Sequence, residues 1–126
     1  MYRMFMLAAI SAYLATATFT PLHAADEPVV VISRFFVTPG KEAIFEERNR
    51  KIVEYVRKAE PDVVYRLQRS KKDPSQYVYD EVHPSPAALE RHSKQALPAA
   101  LKEIGPPPEG LLARPRENET LQVLEP

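Results

Sequence analysis

The chain has 126 residues, with 17 basic and 17 acidic side chains, three histidines, no cysteine and no tryptophan. The absence of cysteine excludes disulfide scaffolds, thiolate zinc sites and iron–sulfur ligation. A net charge of zero, with no basic run longer than two residues, excludes the lysine- and arginine-rich surfaces that bind nucleic acid.

Residues 1–24 read as a secretory signal: Arg3 near the start, an apolar stretch from Met4 to about Phe19, Pro21, and the end Leu22-His23-Ala24 before Ala25. Roughly 16 apolar residues, interrupted by Ser and Thr, fall short of the ~20 that a spanning helix needs. Cleavage after Ala24 is expected, which makes residues 25–126 a secreted or periplasmic domain with no stable membrane span. Without Arg3 that domain has 16 basic against 17 acidic residues, and only His83 and His92 remain to it.

Thirteen prolines punctuate the rest, because each fixes its own backbone and disfavours helix just before it. Val29 to Val37 is β-branched and aromatic and reads as a strand. Thr38-Pro39-Gly40 is a turn, and Lys41 to Glu60 carries Phe45, Ile52, Val56 and Ala59 at helical spacing. A second strand is expected from Val63 to about Arg69 and, after the polar loop Lys71 to Ser75, a third from Gln76 to His83. Ser85 and Pro86 are the N-cap and first residue of a second helix with Ala88, Leu89, His92 and Ala96 on one face. Pro98 restarts it as a short piece reaching Ile104. Gly105 to Gly110 is a stiff connection, and a last strand is expected within Thr120 to Leu124.

This order is β-α-β-β-α-β, an α+β ferredoxin-like arrangement with an antiparallel sheet and two helices on one face. The first strand is apolar on both sides, with Val31, Phe35 and Val37 opposite Val30, Ile32 and Phe36. In the third, Val78 and Val82 oppose Tyr77, Tyr79, Glu81 and His83. Two helices cover one sheet face only, so the second face is expected to pack against another copy as a homodimer. The alternation suggests a cavity lined by tyrosine, glutamate and histidine between sheet and partner.

In this register the chain resembles the antibiotic biosynthesis monooxygenase domain family of dimeric α/β barrels, which includes small quinol monooxygenases. The matching pieces are Thr38-Pro39-Gly40-Lys41-Glu42, Glu60-Pro61, Tyr65-Arg66-Leu67 with Arg69 to Pro74, Tyr77-Val78-Tyr79-Asp80-Glu81, and Ala87-Ala88-Leu89-Glu90-Arg91-His92. There are three differences. The glycine usual after Glu-Pro is missing, His83 stands where tryptophan or tyrosine is frequent, and Leu97-Pro98 replaces a histidine-phenylalanine pair.

The resemblance implies a pocket between sheet and helices, and an enzyme that oxygenates a small aromatic, quinol or hydroquinone without metal or flavin. Such chemistry needs a base near ambient pH, donors for a developing oxyanion and an enclosed apolar site. On this basis His92 is the expected base, with Tyr79 and Glu81 as further catalytic groups and Glu81 fixing an imidazole tautomer. Tyr65, His83, Phe35 and Arg34 form the expected substrate-binding set. Other roles stay open: His92 as a buried structural histidine, Tyr77 and Tyr79 as interface aromatics, Glu81 paired with Arg34 across the sheet, and His83 exposed beside Pro84. His83, His92 and Glu81 are ligand types without tight metal spacing. Heme on His92, or a non-catalytic barrel holding a hydrophobic small molecule, is the alternative.

Overall fold

The computed structural model describes residues 27–125, so the signal segment and its expected cleavage point lie outside the described residues. The Val- and Phe-rich run forms β1 (Val29–Val37). It turns at Thr38-Pro39-Gly40, where Gly40 has φ 89°, a conformation that glycine adopts without Cβ strain. α1 (Glu42–Ala59) follows, burying Phe45, Asn49, Ile52, Val53 and Val56 along one stripe. The Glu60 N–H still bonds the Val56 carbonyl at 2.8 Å, and Pro61 prevents another turn.

β2 (Val64–Arg69) and β3 (Gln76–His83) form a hairpin whose polar loop is held by local side-chain bonds. Asp73 Oδ1 accepts from the Ser75 N–H at 3.0 Å, and Ser70 Oγ accepts from the N–H groups of Lys72 and Asp73. α2 (Pro86–Arg91) starts where Ser85 Oγ accepts from the Ala88 N–H at 3.1 Å. The chain then passes through one wide turn, His92–Ala96, in which the Leu97 N–H reaches back five residues to the His92 carbonyl. α3 (Leu97–Ile104) continues to the expected end. Pro98 has no N–H for the Lys94 carbonyl and its ring crowds that group, so a turn widened just ahead of it relieves the clash.

β4 (Leu112–Gln122) is much longer than the Thr120 to Leu124 strand expected from sequence. Its polar run Arg114-Pro115-Arg116-Glu117-Asn118-Glu119 carries no apolar alternation. It pairs as an edge strand with β1 only, and its register slips on either side of Phe36, around Pro115 and Ala113. A proline without an N–H is tolerated at such an edge.

The four strands are antiparallel in the order β2-β3-β1-β4, as the ferredoxin-like reading requires. One expectation is corrected. β3 buries Tyr77, Tyr79, Glu81 and His83 and leaves Val78 and Val82 half-buried, so the polar-tipped residues lie under the helices and not on the open face. The open face carries Val64, Val82, Val30 and Leu121 in one row across all four strands. Beside that row Arg66 pairs with Asp80, and Arg34 with Glu119 at 3.4 Å. Among the described residues no helix is long and apolar enough to cross a membrane.

The half-buried Ser85 cap is the cleanest local test of this helix assignment. Ser85→Ala is expected to lower stability by about 1 kcal/mol in urea denaturation without changing the slope of the transition.

Candidate active site

Each buried residue of β3 brings a polar tip beneath the helices, and each tip meets a partner. Tyr77 donates to Glu46 Oε1 at 2.7 Å, and Tyr79 donates to Asn49 Oδ1 at 2.9 Å. Both partners lie on α1, which therefore presents polar groups toward the sheet between its apolar ones. Asn49 is held in turn by donating to the Phe45 carbonyl at 2.8 Å.

At the far end of α1 the same strand meets a carboxylate–imidazole cluster. Glu81 Oε2 lies 2.9 Å from His83 Nε2 and 3.7 Å from His92 Nε2. The other ring nitrogen of His92, Nδ1, is 2.6 Å from Glu60 Oε2. All four residues are at most 6% exposed. A buried carboxylate at that distance accepts an N–H, which assigns the proton of neutral His92 to Nδ1 and turns the Nε2 lone pair toward Glu81. Glu60 is also touched by Arg91 at 3.4 Å, and Arg91 bonds Asp62 at the surface. The cluster thus runs from the sheet to solvent. Among the described residues, His83 Nδ1 and His92 Nε2 are buried with no hydrogen-bond partner.

A cavity of about 550 Å³ opens between the sheet, α1, α3 and the Gly105–Leu111 segment. Phe35, Phe45, Tyr65 and Tyr79 form its aromatic wall, with Tyr65 stacked on Tyr79 at 4.8 Å between ring centroids. Glu81 closes its inner end. The Pro106-Pro107-Pro108 strap closes another side and is anchored by Thr38 Oγ1 donating to the Gly110 carbonyl at 2.6 Å and Lys41 Nζ donating to the Glu109 carbonyl at 3.0 Å. Burial pushes the phenols of Tyr65 and Tyr79 well above the usual tyrosine range, so both enter any reaction as neutral hydroxyls.

Of the residues expected at the site, Tyr65, Tyr79, Glu81 and Phe35 line the cavity. His92 and His83 stand behind Glu81, so His92 reaches the cavity through that carboxylate and not directly. His83, expected to be open to solvent beside Pro84 in one reading, is fully buried. Arg34 lies on the opposite sheet face with Glu119, which removes it both from the cavity and from Glu81. Sequence reasoning missed Glu60, Asn49, Arg48 and Arg116. Arg48 lies outside the apolar spacing that marked α1, and Arg116 lay in a segment not expected to be a strand. Among the described residues no group of three or more His, Asp or Glu is arranged to hold a metal ion.

The fold is thus an α+β ferredoxin-like sheet with helices on one face, and the aromatic cavity beside its buried acid–imidazole cluster is the candidate site for a small molecule. Residues 28–102 match the antibiotic biosynthesis monooxygenase family model, and the chain belongs to that family. None of the curated proteins matches the sequence. Among solved structures it is similar to a Caulobacter crescentus protein assigned to the antibiotic biosynthesis monooxygenases, at 29% identity and TM-score 0.67, over 80% of this chain and 93% of that one. A Nitrosomonas europaea protein assigned likewise shares the fold at 20% identity and TM-score 0.63, over 80% and 94% of the two chains. SnoaB of Streptomyces nogalater, a cofactor-independent oxygenase solved as a mutant, shares it at 18% identity and TM-score 0.60, over 79% and 96%.

The three buried phenols make a pH prediction whose sign is fixed. Burial, aided by the Glu46 bond, pushes Tyr77 up to about 12, and burial raises Tyr65 and Tyr79 as well. Above pH 10 the unfolded chain releases phenolic protons that the folded chain keeps, so stability falls as pH rises, for Tyr77 until about pH 12. Phenolate absorbance at 295 nm from these residues is expected to rise together with loss of circular dichroism, in one cooperative step.

Proposed function

We propose that the chain is an exported, cofactor-independent monooxygenase that oxidises a small electron-rich aromatic of the quinol or hydroquinone type in the cavity between sheet and helices. The observation that carries this reading is the placement of Glu81: a buried carboxylate at the cavity's inner end, backed by two imidazoles and joined through His92 and Glu60 to the surface. Membership of the family and the fold shared with SnoaB support it.

A hydroquinone bound against the aromatic wall brings one hydroxyl to Glu81. Proton transfer to the carboxylate, with His92 Nε2 as the next acceptor, leaves an electron-rich phenolate. That anion passes one electron to dioxygen, and the resulting radical pair combines at the ring carbon beside the oxygen. Loss of water from the hydroperoxide then gives a hydroxyquinone. One oxygen atom enters the ring, the other leaves as water, and the substrate supplies all four electrons, so hydroquinone plus O2 balances hydroxyquinone plus H2O. The proton taken by Glu81 returns to the departing hydroxide. The Tyr79 hydroxyl, oriented by Asn49, is a fixed neutral dipole at the reacting ring. The strap and the aromatic wall keep bulk water from the radical pair.

Oxygen uptake with a panel of hydroquinones tests the reading. Glu81→Gln is expected to reduce kcat/KM by about 10²- to 10⁴-fold, the usual contribution of a positioned base. No uptake above background would sink the enzyme reading, and a visible-absorbing ligand co-purifying with inactive protein would establish a carrier or heme-binding barrel in its place.

Export and dimerisation belong to the same proposal. The first 24 residues have the order of a cleaved signal, and the row Val64–Val82–Val30–Leu121 is an apolar band for a second copy. Native mass spectrometry of protein recovered from the periplasm is expected to give twice the mass of residues 25–126. A monomeric mass with the fold intact would contradict the dimer, and a retained N-terminus would contradict the cleavage.

A further inference from the structure

Arg34, Arg66, Arg69, Arg91 and Arg114 are each paired with a carboxylate. Arg48 and Arg116 line the cavity, and neither takes part in an ion pair or a side-chain hydrogen bond among the described residues. They reach it from different elements, Arg48 from the first half of α1 and Arg116 from the register slip of β4 between Arg114 and Glu117. The Arg116 guanidinium carbon stands 6.0 Å from the Phe35 ring centroid, and its charge is felt at Tyr65 as that of Arg48 is at Tyr79.

Both guanidiniums also sit away from the acidic cluster. Glu81 is level with Val31 on β1, whereas Arg116 flanks Phe35, four residues and about 13 Å along the strand. Arg48 lies twelve residues before Glu60, about 18 Å along the helix axis. The cavity is thus polarised: a carboxylate at one end, two guanidiniums without an anion at the other, and an aromatic wall between.

We propose that the ligand of this cavity is an anionic aromatic, a hydroxylated ring bearing a carboxylate or comparable fixed negative group. The ring lies on the Tyr65–Tyr79–Phe35 wall with its oxidisable hydroxyl toward Glu81, and the anion is received by Arg48 and Arg116. The proposal rests on the oxygenase reading for the chemistry at the hydroxyl end only. Arg48 is half-buried and Arg116 stands exposed at the rim, and a guanidinium beside an aromatic wall binds a carboxylate by charge-assisted bonds stronger than those it makes to a neutral hydroxyl. Two such groups from separate elements also fix which end of the ring faces Glu81, since the reversed pose sets anion against carboxylate.

The test measures binding without turnover. Anaerobic calorimetry with the purified protein compares 1,4-dihydroxy-2-naphthoate with naphthalene-1,4-diol, two probes that differ in the carboxylate alone. The naphthoate is expected to bind at least about tenfold more tightly, with the ratio narrowing as salt rises. Arg48→Gln and Arg116→Gln should each reduce the ratio, and the double variant should abolish it while still binding the diol. Equal affinity for the two probes in the unaltered protein would overturn the proposal. So would a preference that survives the double substitution, or an equal loss for both probes in a double variant whose circular dichroism is unchanged. Naphthoate preference without any oxygen uptake in air would confirm the anion site and remove the oxygenase reading alone.

Discussion

The constraint on which the rest of the structure depends is that β3 turns its polar-tipped side chains inward. Tyr77, Tyr79, Glu81 and His83 are all buried beneath the helices, and a buried polar atom left without a partner costs about 1–3 kcal/mol. The helical layer therefore has to supply acceptors and donors at matching heights. α1 does so with Glu46 for Tyr77 and Asn49 for Tyr79, and the residue just past its end, Glu60, holds His92 against Glu81. Sliding the helix by one turn along the sheet would orphan all three at once. Apolar packing of Ile52, Val53 and Val56 gives the helix its affinity for the sheet, while these polar contacts fix its register.

The topology was legible because its signals are local. Proline positions bounded the elements, the alternation in Gln76 to His83 marked β3, and Ser85-Pro86 marked a helix start. Which face of β3 the helices would cover was not legible, because hydrophobic patterning favours burying Val78 and Val82. The structure buries the tyrosines, whose rings bring more apolar area than valine and whose hydroxyls find partners on α1. β4 was shortened for a similar reason: its ladder to β1 is made by backbone groups, and its side chains are exposed and polar. Of the cavity lining, Tyr65, Tyr79, Glu81 and Phe35 had been expected from the family resemblance and not from their face. Arg34 was misplaced because it is one residue out of phase with the buried side of β1. Glu60 was recognised as a helix end and not as the partner of a histidine 32 residues away.

Within the cluster the two carboxylates and two imidazoles have more proton sites than bonds between them. Glu60 and Glu81 each accept from a ring nitrogen, yet His83 Nδ1 and His92 Nε2 remain unpartnered among the described residues. A purely structural arrangement would gain by filling those positions with apolar groups of the same shape. Retaining them leaves two ring nitrogens beside Glu81, a residue that lines the cavity, with their proton sites unused.

The wide turn at His92–Ala96 has an angular consequence. In a regular helix successive residues advance by about 100°, so His92 and Ala100, eight positions apart, would point about 80° away from one another. The turn takes up one extra residue, which reduces the effective separation to seven steps and brings the two within about 20°. One continuous helical segment thereby points His92 at the acid cluster and Ala100 into the core along nearly the same line. Removing a single residue from this turn would leave seven regular steps and keep the two aligned, whereas drawing the turn into a regular helix with every residue in place would rotate one of them out by about 80°.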